Sequence, residues 1–350
     1  MTDLATRPRP SRVLRSRGGH FSLRLHGRTA AVVLGLVLAI LVIGAFTLTI
    51  GEYELTVGQV LAALAGEGGR AAQYVITEFR LPRWLTGLLV GAALAVSGAL
   101  MQSLARNPLG SPDFIGFTTG AATGGILMII TGASAAQLAF GAIAGGLLTA
   151  LAMYLLAFTR GVHGSRLVLV GVGVNAILIA VNSYLISRAE LRDATIAQAW
   201  LTGSLNARGW EHVLPVGIAL ALLLPLAFTM ARRLALLEMG DEAASALGVP
   251  VQRSRAVLMV TSVALAAVAV ASAGPVAFVA LMAPQLARRL TRAASPVLVP
   301  TALMGAFVVS LSDFAAQRLF SPIAVPVGVM TAAVGGIYLA WLLATEWRGR

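Results

Sequence analysis

Residues 80–120 combine a charged start, a long apolar run and a polar segment that contains two prolines: RLPRWLTGLLVGAALAVSGALMQSLARNPLGSPDFIGFTTG. The apolar run, from about Trp84 to Leu104, is long enough to cross a hydrocarbon core of about 30 Å as a helix. Its many glycine, alanine and serine residues allow a neighbouring helix to approach closely. This segment therefore predicts a membrane helix packed against other helices, a feature of membrane transport proteins.

Composition extends this prediction to the whole chain. Of 350 residues, 58% are hydrophobic and only 11% are charged, which is typical of a polytopic membrane protein. Apolar windows predict an all-α fold with about ten transmembrane helices. The predicted spans are Ala30 to Ile50, Trp84 to Leu104, Ile115 to Thr131, Ala139 to Phe158, Leu167 to Ile186, Val213 to Met230, Ala256 to Ala271, Val276 to Leu290, Val297 to Leu311 and Val325 to Ala344.

The net charge of +12 reflects the placement of arginines between the spans. Most of them fall on one side if the N-terminus is cytoplasmic, so positive charge predicts that both termini lie inside. We expect a basic, flexible cytoplasmic tail at residues 1–28 and a transmembrane domain at 29–350, with an inner loop at 231–255. Topology and contact with anionic lipid account for the charge, and they make a nucleic-acid partner improbable.

The chain lacks the residues that several kinds of chemistry require. All 26 basic residues are arginine, so the chain cannot form a lysine-containing P-loop, and any ATP must be hydrolysed by another subunit. The four histidines are scattered and there is no cysteine, which predicts no metal site. Ionisable residues are scarce within the spans, with Asp313 near an outer end as the main candidate, and this argues against ion-coupled transport and against a membrane enzyme.

The inner loop from Ala231 to Arg255 is the most soluble-looking stretch on the predicted cytoplasmic side. Acidic residues from Glu238 open a short amphipathic helix that extends through Leu247, and Gly248 with Pro250 ends it. A second short helix could start near Gln252. Such helices can press into a cleft of a partner as rigid levers, and an ordinary connecting loop is the alternative.

Three blocks of sequence resemble the permease subunits of ATP-driven importers for ferric siderophores, haem and vitamin B12, and are most similar to those of the ferric-enterobactin type. They are residues 80–121, GDEAASALGVP from Gly240, and GPVAFVALMAPQLARRL from Gly274 followed by VPVGVMTAAVGG from Val325. The resemblance implies the type II ABC importer permease fold. It also implies two cytoplasmic ATPases that bind ATP and Mg²⁺, a second identical or homologous permease, and an extracytoplasmic substrate-binding protein.

The resemblance also implies roles for individual residues. Arg80 and Arg83 match arginines that receive glutamates of the binding protein, and their i, i+3 spacing suits bidentate carboxylate contact. Interfacial anchoring is the alternative. The third arginine of this pattern normally stands four residues after the position of Asp313, where this chain has Gln317 and then Arg318. The ATPase-coupling segment comprises Gly240, Asp241, Glu242, Ala243, Ala244, Leu247, Gly248 and Val249.

Residues of the pathway follow from the same resemblance and from helical spacing. Asn107 and Leu109 match residues that narrow the cytoplasmic mouth, and Gly164 with Ser165 occupies a second constriction where relatives carry hydroxyl residues. Asn175, Asn182 and Ser183 share one helix face, so they could line a passage or form hydrogen bonds between helices.

The sequence as a whole predicts a multi-pass permease in the inner membrane of a bacterium, with ferric siderophore as cargo. No cofactor is expected on this chain. The same importer carrying vitamin B12 or haem is one alternative. An ATP-independent channel or facilitator is another, and the segment around Gly240 argues against it, because a channel has no need of a lever for an ATPase.

Overall fold

The computed structural model describes residues 11–15, 22–51, 53–157, 164–293, 295–320 and 325–347. Helices dominate these residues, and a π-helical turn, Val75–Arg80, joins α3 to α4 without interruption. In chain order the helices are α1 Gly27–Thr49, α2 Val57–Leu64, α3 Arg70–Tyr74, α4 Leu81–Ala105, α5 Pro112–Ile115, α6 Phe117–Ile130, α7 Ala135–Ala157, α8 Gly164–Arg188, α9 Leu191–Leu201, α10 Trp210–Glu238, α11 Asp241–Ala246, α12 Val251–Ala273, α13 Val279–Thr291, α14 Leu298–Arg318 and α15 Val327–Trp347.

Each of the ten predicted spans corresponds to one helix, which confirms the all-helical membrane fold. Seven helices are long and apolar enough to cross a membrane by length and composition. Two more, α6 and α15, are shorter apolar helices, and α13 has only 13 residues. The count of ten is therefore approximate. The α13 helix is short because Phe278 at its N-cap adopts a left-handed conformation with φ of 66°, so the preceding residues cannot join the helix.

The N-terminal basic segment contains a regular element. Strands β1 Ser11–Arg15 and β2 Ser22–His26 pair antiparallel, with Ser11 opposite His26 and Arg15 opposite Ser22. The second strand leads directly into α1. This part of the chain was expected to be flexible, and the hairpin is a secondary structure that hydropathy did not predict.

Helix α4 occupies the centre of the bundle and packs against α10, α12, α13 and α14. Its small residues permit this packing, as the sequence predicted. A side-chain carbon at Gly91 would overlap the carbonyl oxygen of Gly305 in α14, and one at Gly98 would overlap that of Ala280 in α13. The backbones of α13 and α14 therefore each lie close to the backbone of α4, on two of its faces. Small residues permit this packing between membrane helices.

Peripheral helices expose apolar side chains to the surroundings. Leu34 in α1, Leu169 and Ile177 in α8, and Leu222 in α10 are each more than half exposed. The exposed face of α8 is especially extensive, because only a small part of this helix is buried against the rest of the chain. Exposed apolar surface on this scale is what a bilayer or a partner membrane protein covers.

Residues 231–255, which were predicted from the sequence to form an inner loop, contain one short helix instead of two. Helix α11 lies where the first lever helix was predicted, but the expected second short helix near Gln252 is wrong. Residues from Val251 onward form the first turn of α12, which continues to Ala273. Pro250 precedes this turn, where its missing amide hydrogen and fixed φ suit the start of a long helix.

Candidate functional site

Functional residues were predicted at both ends of the bundle. One end carries α11 and is called the α11 end; the other carries α2, α3 and α9 and is called the α9 end. Helix α4 connects them, because Arg80 precedes it at the α9 end and Arg106 follows it at the α11 end. The two groups of residues are described in that order.

Arg80 binds the end of α1. Its Nη1 donates to the carbonyl oxygens of Leu48 at 2.7 Å and Thr49 at 3.2 Å, and its Nη2 donates to that of Tyr53 at 2.5 Å. The last carbonyls of a helix have no partner within the helix, so a guanidinium group there satisfies them and complements the helix dipole. Arg80 therefore stabilises the connection that follows α1.

Arg83 forms a bidentate ion pair with Asp313 of α14. Nε lies 3.0 Å from Oδ2 and Nη2 lies 2.8 Å from Oδ1. The side chain of Asp313 is nearly buried, and Gln317 also donates to its Oδ2 at 2.8 Å. Gln317, which stands where the family resemblance led us to expect an arginine, thus completes the hydrogen bonding of this carboxylate. Nη1 of Arg83 has no hydrogen-bond partner within the described ranges.

Arg318 reaches the same place from the end of α14. Its Nη2 donates to the carbonyl oxygen of Ile50, the residue that caps α1. The fold thus gathers Arg80, Arg83 and Arg318 around the C-terminal end of α1, although they come from two helices. All three have partners inside the chain, and sequence spacing could not identify those partners.

At the α11 end, Asp241 begins α11 and contacts two arginines through one oxygen. Oδ1 accepts from Nη2 of Arg106, which follows α4, and from Nη2 of Arg255 in α12 at 2.7 Å. Gly240 precedes the helix with φ of 122°, a conformation that glycine adopts readily. Within the predicted coupling segment Ala244 is buried, whereas Leu247 is 62% exposed. The segment therefore has an anchored side and a free apolar side.

Asn107 and Leu109, which were predicted to narrow the cytoplasmic mouth, form a tight turn that directly follows Arg106. Oδ1 of Asn107 accepts the backbone N–H of Leu109 at 2.9 Å, an Asx turn that holds the segment in a non-helical shape. The carbonyl oxygen of Pro108 accepts from Nε2 of Gln285 in α13 at 2.8 Å, and Oε1 of Gln285 accepts from the hydroxyl of Tyr338 in α15 at 3.1 Å. The turn is thereby fixed to two further helices.

A cavity of about 390 Å³ opens next to the turn. Asn107 and Pro108 line it together with Glu238 at the end of α10 and Arg288 of α13. Nη2 of Arg288 lies 2.5 Å from Oε1 of Glu238 and donates to the hydroxyl of Ser103 at 3.0 Å. Charged side chains therefore surround this cavity: Arg288 is paired with Glu238, whereas Arg289 lies over the rings of Tyr338 and Trp341.

The three polar residues predicted on one face of α8 have different surroundings. Oδ1 of Asn175 accepts from the hydroxyl of Thr119 at 2.6 Å, so this residue forms a hydrogen bond between α8 and α6. Asn182 and Ser183 line a second cavity of about 570 Å³, which Thr118 and Gln198 also line. Asn182 is buried, and its Oδ1 has no partner among the residues described. The described residues that line the cavity include no charged side chain, and Ala122, Ile179 and Leu201 add apolar surface to it, which is a lining that suits a passage for an organic chelate.

The predicted second constriction can be placed only in part. Gly164 and Ser165 are the first two residues of α8, so their backbone is helical. The side chain of Ser165 and the surroundings of both residues lie outside the part of the structure that is described.

Sequence reasoning missed Asp113, in the short helix α5 between α4 and α6. Its Oδ2 is enclosed without a hydrogen-bond partner in the described part of the chain. Burial raises the pKa of Asp113 from its ordinary value to about 6, and hydrogen bonds from the Thr118 side chain and the Phe278 backbone oppose this rise. A carboxylate flanked by Pro112 and Phe114 in an otherwise apolar segment was the available signal.

No group of three or more metal-binding side chains occurs among the described residues. The apolar helical bundle defines a multi-pass membrane protein, and its uncharged cavity and anchored helix α11 are consistent with a permease. The chain belongs to the FecCD transport family, whose family model matches residues 36–345. This membership confirms the resemblance to ABC importer permeases that the sequence blocks indicated.

Individual relatives agree with this assignment. The chain is 46% identical over 314 residues to the ferric enterobactin transport system permease protein FepG of Escherichia coli strain K12, covering 89% of this chain and 95% of that protein. It is 37% identical over 321 residues to the probable siderophore transport system permease protein YfhA of Bacillus subtilis strain 168, covering 89% and 93%. A solved inward-facing structure of a metal-chelate type ABC transporter matches with a TM-score of 0.80 and 32% identity, covering 90% of this chain and 99% of that one.

Proposed function

We propose that this chain is the membrane-spanning subunit of an ATP-driven, binding-protein-dependent importer, and that its cargo is a ferric siderophore. The observation that carries the proposal is the exposed helix α11, which is anchored by ion pairs at one end of a helical bundle. A partner that closes on ATP can push such a helix as a rigid body. The relatives from Escherichia coli and Bacillus subtilis are named as a ferric enterobactin permease and a probable siderophore permease, which supports a ferric siderophore as the cargo.

The energy source is a pair of cytoplasmic ATPases that bind ATP and Mg²⁺. The chain has no lysine for a P-loop of its own. Met239 and Leu247, which are 70% and 62% exposed, flank α11 and offer the apolar contact that an ATPase cleft would bury. Glu242 lies exposed between them and provides a charged contact.

A second permease subunit, identical or homologous, completes the pathway. The exposed apolar residues of α8 support this assignment, because an uncharged cavity lined in part by Asn182 and Ser183 lies beside them. A single chain would leave this cavity open at its side. Two copies facing each other would enclose it, which is how cargo could cross without contact with lipid.

The distribution of arginines along the chain supports one orientation of the protein in the membrane. We place the α11 end and both termini in the cytoplasm of a bacterium, with the chain in the inner membrane and the α9 end outside. Arg28, Arg106, Arg255 and Arg288 then lie on the inner side, in keeping with the excess of positive charge on cytoplasmic segments.

The arginines at the α9 end receive the loaded binding protein. Arg83 keeps Nη1 free while Asp313 holds the rest of its guanidinium group, so an external carboxylate can add to the pair without breaking it. Arg80 and Arg318 are held by backbone carbonyls, which an incoming carboxylate could replace.

The experiment that tests the proposal is uptake into liposomes. The permease, co-purified with its ATPase and second permease, is reconstituted with the binding protein and a radiolabelled ferric siderophore. Uptake should require internal ATP and the binding protein, and cargo competition with haem and vitamin B12 should be absent. Downhill entry of cargo without ATP would instead establish the channel, and uptake of haem or vitamin B12 would reassign the cargo within the same class.

A further inference from the structure

Two acidic residues flank the turn between α10 and α11, and each is paired with arginine from another helix. Glu238 is the last residue of α10 and binds Arg288 of α13. Asp241 is the first residue of α11 and binds Arg106 and Arg255. The three arginines belong to the ends of α4, α12 and α13. The short helix is therefore connected by charge to three of the central helices of the bundle.

Of these contacts, the one with Arg106 connects Asp241 to the turn formed by Asn107 and Leu109. Arg106 caps α4 in a left-handed conformation with φ of 48°, an uncommon backbone state for a residue with a side chain. Its Nε donates to the carbonyl oxygen of Leu237 at 2.9 Å, and its Nη2 contacts Asp241. Asn107 follows it directly and forms the turn with Leu109. A displacement of Asp241 therefore acts on the residue that sets the start of this turn.

Both arginines of Asp241 contact the same oxygen atom, Oδ1. Their guanidinium groups are consequently close to each other, with the carboxylate of Asp241 between them. The side chain of Arg255 is only 8% exposed, whereas those of Arg106 and Asp241 are 38% and 36% exposed, so water screens the pair with Arg106 more than the pair with Arg255. If the carboxylate lost its charge, the two cations would repel each other, and the contact between α11 and α4 would be lost.

We infer that Asp241 is the residue through which movement of α11 reaches the inner end of α4, with Arg106 and Arg255 as its positioning partners. The inference rests on the proposed function, since it assumes that an ATPase moves α11. It adds a specific link between α11 and the turn formed by Asn107 and Leu109. Gly240, with its positive φ, provides a joint at which α11 can turn relative to α10 while Asp241 stays bound.

If these ion pairs only stabilised the fold, import per ATP hydrolysed would change together with thermal stability. Measuring both quantities separates that role from the proposed link. Asp241→Asn removes the charge and keeps the shape. We expect it to lower both the thermal stability of the assembled transporter and the number of cargo molecules imported per ATP hydrolysed, the latter by about fivefold. Adding Arg255→Gln removes the repulsion between the two cations. The double variant should recover most of the lost stability, but its import per ATP should stay low, because the link is still absent.

Arg253→Gln is the matched control for Arg255→Gln. Arg253 lies in the same first turn of α12 but is exposed, so its loss should change neither readout. The inference is overturned if import per ATP recovers together with stability in the double variant, or if Asp241→Asn imports as much per ATP as the wild-type transporter. These outcomes are distinct from failure of the proposed function, in which the wild-type complex itself would show no ATP-dependent uptake.

Discussion

Arg83 and Asp313 join α4 to α14 through two parallel hydrogen bonds of 3.0 Å and 2.8 Å at the α9 end of the bundle. The residues are 230 positions apart in the chain, and their side chains are 20% and 5% exposed. Bidentate geometry and burial make this pair stronger than a typical surface ion pair, although the partial exposure of Arg83 moderates it.

We predict that removal of either partner destabilises the fold. Arg83→Gln or Asp313→Asn should lower the free energy of unfolding by about 2–3 kcal/mol, because the first leaves the nearly buried Asp313 and the second leaves the partly buried Arg83 without its charged partner. The double variant should cost less than the sum of the two single variants. Thermal unfolding of the detergent-solubilised protein measures all three, and strict additivity would show that the pair contributes nothing specific.

Arg83→Lys tests docking separately from folding. Lysine can keep an ion pair with Asp313 but cannot offer a second, parallel hydrogen bond to an external carboxylate. We expect a smaller loss of thermal stability than for Arg83→Gln, because the ion pair is kept, and a half-saturating concentration of binding protein that rises about five- to tenfold, a loss of about 1 kcal/mol. Arg70→Lys is the control, because Arg70 is exposed on the same side in α3. Equal effects of the two substitutions would remove the docking role of Arg83.

The close approach of α4 and α13 predicts strong sensitivity at Gly98. A methyl group there would overlap the carbonyl oxygen of Ala280, so Gly98→Ala should force the helices apart and cost about 1–3 kcal/mol. Gly35→Ala in α1 is the control, since no atom lies within 4 Å of a side chain built there. The yield of monodisperse protein and its unfolding temperature should fall only for Gly98→Ala.

The enclosed carboxyl of Asp113 predicts a pH-dependent stability. Its pKa is raised from 3.8 to about 6 in the folded state, so the folded protein binds this proton more tightly than the unfolded chain does. The resulting stabilisation is present below about pH 4 and is lost as the pH rises through about 6. Relative to wild type, Asp113→Asn should therefore gain about 1–3 kcal/mol between pH 4 and pH 7. A stability difference that does not vary with pH would contradict this assignment.

The absence of cysteine from the sequence makes the topology directly testable. Ser245→Cys in α11 and Thr195→Cys in α9 each place a single thiol at an exposed position. A membrane-impermeant maleimide should label Thr195→Cys in intact spheroplasts and Ser245→Cys only in inside-out vesicles. The opposite pattern would invert the proposed orientation.

Much of the helical framework could be predicted from hydropathy, because a membrane imposes both length and apolar composition on each span. Each predicted span contains one helix, and α11 lies where acidic residues and Gly248 indicated a short helix. Helices α2, α3 and α9 were not predicted. They are too short or too polar for a window that seeks spans, although Thr56 and Gln59 form a capping box that marks the start of α2.

The partners of the arginines could not be predicted from the sequence. Arg83 and Asp313, or Arg106 and Asp241, meet because of tertiary packing between helices far apart in the chain. Local spacing places Arg83 at a membrane boundary without showing which carboxylate it faces. For the same reason, spacing grouped Asn175 with Asn182, whereas the structure gives the first a partner on α6 and leaves the second beside a cavity.

Helix α4 carries Arg83 near one end and leads into Arg106 at the other. Its 25 residues span about 37 Å, and a helix buried on all sides by close-packed neighbours tilts as one stiff rod. A tilt of about 5° around its midpoint would displace each end by about 1.5 Å in opposite directions. If the α9 end receives the binding protein and the α11 end forms the inner opening, as we propose, both are set by the same angle of α4, so neither can change without the other.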